Sequence, residues 1–275
     1  MSKNKAKIGD GLKEKVSPKN FTKNPIKGTK FTVMISSAKG GVGKSTFSIN
    51  LLFALQKLGY KVGLLDADIH GPSLPKMIGL NERPKTNNDK FLLPLEKYGA
   101  QFMSLGFLVD EKTPMIWRGP MVAGTIKTLA EKVLWKDLDF LIIDMPPGTG
   151  DTQLTFAQDV KIDGAIIIST PQELALMDVT RGIQMFNKVK IKILGLVENM
   201  SFFKGDDGKS YNIFGEDGVE KTAKEFDKKF LGKIPINTEL RKSADLGLPL
   251  TYKKPDHEIS KIFADIALKI KQDVL

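Results

Sequence analysis

Lys44 and Ser45 close a glycine-rich stretch, Ser36–Thr46 (SSAKGGVGKST), and three aspartates further along, Asp66, Asp68 and Asp144, follow or end short apolar runs. Together these residue types suit phosphoryl chemistry. Backbone N–H groups of a glycine-rich turn converge on an anion at the positive end of a helix dipole. Gly40, Gly41 and Gly43 let the main chain approach a polyphosphate closely; Lys44 reaches its β- and γ-phosphates, and the Ser45 hydroxyl binds Mg²⁺. The usual G-x-x-x-x-G-K-[ST] pattern has glycine where this chain has Ala38, and an additional lysine, Lys39, follows it. Ala38, Lys39, Gly40, Gly41, Val42, Gly43, Lys44, Ser45 and Thr46 are the candidate nucleotide-binding loop.

Asp144, at the end of DFLIID, is the candidate second ligand for Mg²⁺, which keeps several waters and takes few protein oxygens. Asp68 is the candidate for orienting an attacking water, with Asp66 supporting the metal or its shell. Residues in D-x-D spacing point the same way on an extended chain. Turn chemistry at a strand end is the other reading of Asp66 and Asp68, and capping of the next segment is the other reading of Asp144.

The elements that must position these residues alternate in type. Phe31–Ile35, Lys61–Asp66, Asp139–Asp144, Gly164–Thr170, Ile191–Val197 and Leu231–Ile236 are short apolar runs that read as strands. Helical spacing is found over Ser48–Leu58 (ended by Gly59), around Ile126–Leu134, over Gln172–Val189, near Gly218–Phe230, and at Ile259, Ile262, Phe263, Ile266, Ala267 and Ile270. Residues 80–100 read as a polar insertion or hairpin, and 201–216 as a glycine- and aspartate-rich loop. Continuously apolar strands alternating with helices predict an α/β fold with a doubly wound, mostly parallel sheet covered on both faces. Ligands of such sheets bind at the carboxyl ends of the strands, where the loop, Asp66, Asp68, Asp144 and Asn199 should share one crevice.

Composition narrows the class. The 275 residues, 41% hydrophobic and 27% charged, are those of a globular protein, with no apolar run long enough to span a bilayer. The chain has no cysteine, which excludes disulfides, zinc–thiolate sites, cysteine nucleophiles and a cluster held by its own thiolates. The net charge of +10 is uneven: residues 1–30 hold nine lysines against Asp10 and Glu14 and no arginine. Residues 1–28 read as a basic, disordered leader and 29–275 as a single domain. Lacking a secretory or arginine-rich targeting pattern, the chain is expected in the cytoplasm, and a nucleic-acid partner is not expected.

Lys39–Thr46, with a lysine ahead of the glycines, resembles the deviant phosphate loop of the MinD/ParA/nitrogenase-iron-protein ATPases. Within that class, Asp66–Pro75 (DADIHGPSLP), Trp117–Met121 (WRGPM), Asp144–Leu154 (DMPPGTGDTQL), Ser169–Asp178 (STPQELALMD) and Val197–Ser201 (VENMS) are similar to the Mrp family of ATP-binding iron–sulfur cluster carriers. The resemblance covers about residues 30–252. It implies ATP and Mg²⁺ as ligands, slow hydrolysis, a homodimer closed around ATP, and iron–sulfur assembly or client proteins as partners. It further implies that Lys39 contacts the γ-phosphate across the dimer, that Asn199 reads the adenine edge, that Pro235 closes over the base and that Asp68 assists hydrolysis. One departure follows Asn199. Cluster-holding members carry C-x-x-C there, where this chain has Phe202-Phe203-Lys204-Gly205-Asp206-Asp207. Aspartates replace sulfur poorly at cluster iron, so the residues support the ATPase and not direct cluster binding. Two other readings stay open: a nucleotide-switched regulatory or scaffold dimer, and a MinD/ParA-like positioning ATPase acting on membrane or DNA.

Overall fold

The computed structural model describes residues 23–68, 71–108, 119–148 and 150–274. The elements run β1 (Thr29–Ser36), α1 (Lys44–Lys57), β2 (Val62–Asp66), α2 (Leu74–Ile78), β3 (Leu95–Lys97), β4 (Ala100–Ser104), α3 (Gly119–Lys132), β5 (Leu138–Asp144), α4 (Asp151–Asp159), β6 (Gly164–Ser169), α5 (Glu173–Lys188), β7 (Ile193–Lys204), β8 (Ser210–Tyr211), α6 (Gly218–Glu225), β9 (Phe230–Ile236), α7 (Thr238–Asp245), α8 (Leu250–Lys253) and α9 (Glu258–Val274).

The strands form one sheet in the order β3-β4-β2-β5-β1-β6-β7, with β9 on the other side of β7 and β8 paired to the tip of β7. All pairings are parallel except β3 with β4 and β7 with β8. Alternation along each strand feeds two cores. Val33, Ile35, Phe140 and Ile142 face a layer built from α1, α2, α7, α8 and α9; Met34, Leu141 and Ile143 face α3, α4, α5 and α6. The expected doubly wound, mostly parallel sheet is therefore the one found.

Helix α1 is covered nearly all round, with Phe47–Leu55 entirely buried, because α9 and α8 cap the face it turns away from the sheet. A helix apolar on more than one face is a core helix. Its buried Asn50 is satisfied: the amide donates to the Thr46 carbonyl at 2.8 Å, and its oxygen accepts from the Thr251 N–H and hydroxyl at 3.0 and 2.9 Å. Helix α9 seats Ile259, Phe263, Ile266 and Ile270 in the same core. Among the described residues no helix is long and apolar enough to cross a membrane.

Several element expectations need correction. The stretch 201–216 is not all loop: β7 runs on to Lys204 and turns back through β8, pairing Phe203 with Tyr211. Aromatic cross-strand pairs favour such a ribbon. Strand β4 lies beside β2 in the parallel part of the sheet; its apolar Phe102-Met103 centre is too short to stand out from the hairpin before it. Helix α6 stops at Glu225, where Lys228 N–H donates to the Ala223 carbonyl and Asp227 turns left-handed at φ 50°. The predicted leader lies mostly outside the described residues. Its last part is seated: Asn24 bridges Val160 and Ile26 is buried.

Candidate functional site

Strands β1, β2 and β5 end together. Ile35 lies opposite Asp144, and Asp66 lies opposite Asp144 from the other side, so parallel register alone brings both carboxylates under the loop that follows β1. The loop turns into α1 through left-handed glycines, Gly41 at φ 80° and Gly43 at φ 83°. At Gly43 a second constraint applies, since an added Cβ would lie 2.3 Å from the Asn199 amide nitrogen. Only glycine satisfies both the dihedral and the contact.

At the centre, the Lys44 ammonium donates to Asp144 Oδ1 at 2.7 Å, with 6% and 2% of the two side chains exposed. The Ser48 hydroxyl donates to the same oxygen at 2.9 Å and also reaches the Lys44 carbonyl at 3.0 Å. A buried ion pair persists only with good geometry and added hydrogen bonds, and Ser48 supplies one. Asp66 is equally buried. Its oxygens accept from Asp68 N–H at 3.1 Å, Leu74 N–H at 3.3 Å and the Ser104 hydroxyl at 3.0 Å. Burial, and after it the negative charge of Asp144, push the Asp66 carboxyl up to about 7, against the opposing pull of Lys44 and those hydrogen bonds. Two carboxylates thus face one ammonium, a donor set short of one positive charge. This is the oxygen-rich, cation-poor environment that a hard divalent ion suits. Two further polar atoms here are buried with no hydrogen-bond partner among the described residues, Asp68 Oδ1 and Ser37 Oγ. Lys39, Gly40 and Gly41 lie exposed on the outer rim of the loop, while Val42 is buried and Ala38, Ser45 and Thr46 are half-buried.

Asn199 and Pro235 lie on neighbouring strands, with Asn199 opposite Ile234. A register shift between Asn199 and Phe203, with Met200 at φ 54°, bends β7 here, as bulges beside functional sites do. The Asn199 amide donates to the Val42 carbonyl at 2.7 Å, so it braces the phosphate loop from below. Pro235 instead lines an open cleft of about 540 Å³ with Phe202, Phe203, Asn237 and Glu258. The two residues assigned to a base are adjacent in the sheet, but only Pro235 borders the cleft.

Three residues that the sequence reading did not single out belong here. Ser48 sits one helical turn after Lys44, a spacing that puts both on one face. Ser104 ends β4, the strand that was missed. Gln153 is buried in α4: its oxygen accepts from the Ser36 hydroxyl at 2.8 Å and its amide donates to the Pro146 carbonyl at 2.6 Å. With the Gly148 N–H to Ser37 carbonyl bond at 2.8 Å, it ties the segment after Asp144 to the loop strand. The signal for Gln153 was its place within DMPPGTGDTQL. His70 and Thr149 lie outside the described residues. His257 lies at the start of α9, where its Nδ1 accepts from Ile259 N–H at 3.2 Å.

Comparison with known proteins places the chain in a family. A model of the ParA group, described as NUBPL iron-transfer P-loop NTPase, matches residues 28–271. A Dictyostelium discoideum protein named iron-sulfur cluster transfer protein NUBPL is 48% identical over 252 residues, covering 90% of this chain and 78% of its own. An Aquifex aeolicus iron-sulfur cluster carrier protein is 45% identical over 257 residues, 92% and 71% of the two chains. Among solved structures, an Archaeoglobus fulgidus nucleotide-binding protein in complex with ADP superposes with a TM-score of 0.73 at 37% identity, over 86% of this chain and 93% of that one. The cell division ATPase MinD of Pyrococcus furiosus, at 22% identity, TM-score 0.65 and coverages of 88% and 98%, shares the fold.

Proposed function

We propose, from the premise that this chain belongs to the NUBPL iron-transfer P-loop NTPases, that it binds ATP with Mg²⁺ at the carboxyl ends of its strands, hydrolyses it slowly as a homodimer, and serves iron–sulfur protein maturation. One observation carries this reading: Lys44, Asp144 and Asp66 converge, buried, beneath a loop whose left-handed glycines open its main chain to an anion.

The residues act as follows. Loop N–H groups and the α1 N-terminus hold the β- and γ-phosphates, and Lys44 moves from Asp144 to them, since a triphosphate offers it more negative charge. Ser45, Asp144 and Asp66 would hold Mg²⁺, which would supply positive charge against the negative charge of the phosphates. Asp68, whose buried Oδ1 has no partner among the described residues, orients a water in line with the γ-phosphorus and accepts its proton. The water oxygen bonds to phosphorus as the bond to the β–γ bridging oxygen breaks, leaving ADP and phosphate. Lys39, on the exposed rim, reaches the γ-phosphate of a second copy and stabilises the charge that develops there. Asn199 keeps the loop in shape, and the Pro235 cleft receives the base.

The cargo is a different matter. The relatives are named as cluster carriers, but the hairpin after Asn199 presents Lys204, Gly205, Asp206 and Asp207, and the chain has no thiol at all. Cluster ligands are therefore supplied by partner proteins. The same absence favours a second reading, in which ATP switches a scaffold dimer that holds no cluster at any stage. Anaerobic reconstitution with iron and sulfide, followed by an absorbance spectrum, should yield no stoichiometric cluster on the chain alone. Repeating it with a client present separates the two readings. A sizing column run with a non-hydrolysable ATP analogue should show the dimer; a monomer at every nucleotide concentration would remove the trans role of Lys39.

A further inference from the structure

The rim of the sheet opposite the nucleotide site carries a row of lysines. In spatial order β2, β5, β1, β6, β7 and β9, each strand has a lysine within three residues of its first position: Lys61, Lys136, Lys30, Lys161, Lys192 and Lys229. At the ~4.8 Å spacing of strands, this row spans roughly 24 Å. Lys27, Lys190 and Lys228 stand beside it. The segments leading into these six strands, taken with the first two residues of each strand, hold ten lysines against Asp137, Asp139, Asp163 and Asp227, a net charge of +6. The connections leaving the same strands at the other rim hold two lysines against five acids, a net of −3. Four of the row are ion-paired, Lys30 with Asp139, Lys136 with Glu96, Lys161 with Asp163 and Lys229 with Asp273, and the excess is positive after those pairs are counted.

The chain enters the described structure at this rim. Asn24 N–H donates to the Asp159 carbonyl at 3.1 Å and the Lys23 ammonium to the Val189 carbonyl at 3.1 Å. Residues 1–22 precede this point in the sequence and hold six lysines against two acids.

We propose that this amino rim docks on an anionic lipid bilayer, so that the nucleotide-binding rim faces away from the membrane. The distribution of charge favours a bilayer over a nucleic acid. Attraction to a charged plane follows the net charge brought within a screening length and tolerates interspersed aspartates. Nucleic-acid binding works through individual phosphate contacts, and Asp137, Asp139 and Asp163 would oppose phosphates seated among the lysines. All ten basic residues are lysine; arginine, the usual side chain for bidentate phosphate recognition, is absent from the face.

The test uses the full chain in co-sedimentation with phosphatidylcholine vesicles, with and without one-third phosphatidylserine. The variant Lys27→Glu/Lys61→Glu/Lys190→Glu reverses three exposed charges away from the ATP site. At low salt, wild type should bind the anionic vesicles at least tenfold more tightly than the neutral ones. That binding should vanish near 1 M salt, where the screening length is ~3 Å. The variant should lose at least tenfold in vesicle affinity while its ATP turnover, which also reports its folding, is unchanged. Equal binding to both vesicle types, no binding to either, or a variant that binds like wild type would overturn the proposal. So would a preference for duplex DNA over anionic vesicles at matched phosphate.

Discussion

The two rims of one sheet use charge in opposite ways. At the carboxyl rim there are few charges, each buried and fixed: Lys44 held 2.7 Å from Asp144, with Asp66 locked by three donors. At the amino rim the charges are many and exposed, and even the paired lysines stand in solvent. Buried charges act through geometry, because low polarizability makes each contact strong and each unpaired group costly. Exposed charges act through number, because water and salt weaken each one. Substitutions should therefore be severe and specific at one rim, mild and additive at the other.

The largest effect is expected at Lys44. Lys44→Ala leaves Asp144 buried without its cation and removes the phosphate contact, so nucleotide titration should detect no ATP binding; affinity within threefold of wild type would break the contrast. Lys39→Ala should spare binding of ATP by the monomer while reducing turnover by on the order of 10³-fold, the scale of a cation supplied in trans. Asp68→Ala should keep ATP affinity and lose roughly 10²-fold in turnover, and turnover equal to wild type would remove Asp68 from the chemistry.

A smaller effect, on stability, follows from Asp66. Its carboxyl titrates near 3.8 unfolded and is pushed up to about 7 when folded. Between those values the folded chain holds a proton that the unfolded chain has released, so stability falls as pH rises from about 4 to 7 and is flat beyond. Asp66→Asn removes that titration. Without nucleotide, the variant should be more stable than wild type at pH 8 by on the order of 4 kcal/mol, and should lose the advantage near pH 4. Thermal melts at the two pH values would show this, and parallel pH profiles would contradict it. Smallest of all, single Lys→Ala changes at Lys61 or Lys190 should move stability by no more than about 0.5 kcal/mol.

The sequence carried the carboxyl rim well because its parts follow local rules. A glycine-rich turn between an apolar strand and a helix fixes where Lys44 sits, and apolar runs ending in Asp66 and Asp144 place both carboxylates once the strands are parallel. What local pattern could not supply was long-range pairing. Ser104 lies on β4, too short to register as a strand, and Gln153 gains its meaning only where α4 passes Ser36. The bend at Met200 turns the Asn199 amide onto the Val42 carbonyl, which no periodicity encodes. The lysine row was invisible for the same reason: its members are scattered over nearly 200 residues and become neighbours only in the strand order of the sheet.

The central claim is that Lys44 and Asp144 part when a magnesium triphosphate arrives. A crystal structure of the chain with Mg²⁺ and a non-hydrolysable ATP analogue should find the Lys44 ammonium on β- and γ-phosphate oxygens, with Asp144 turned to the metal's shell. A nucleotide seated elsewhere, or Lys44 still bonded to Asp144 beneath it, would contradict the account.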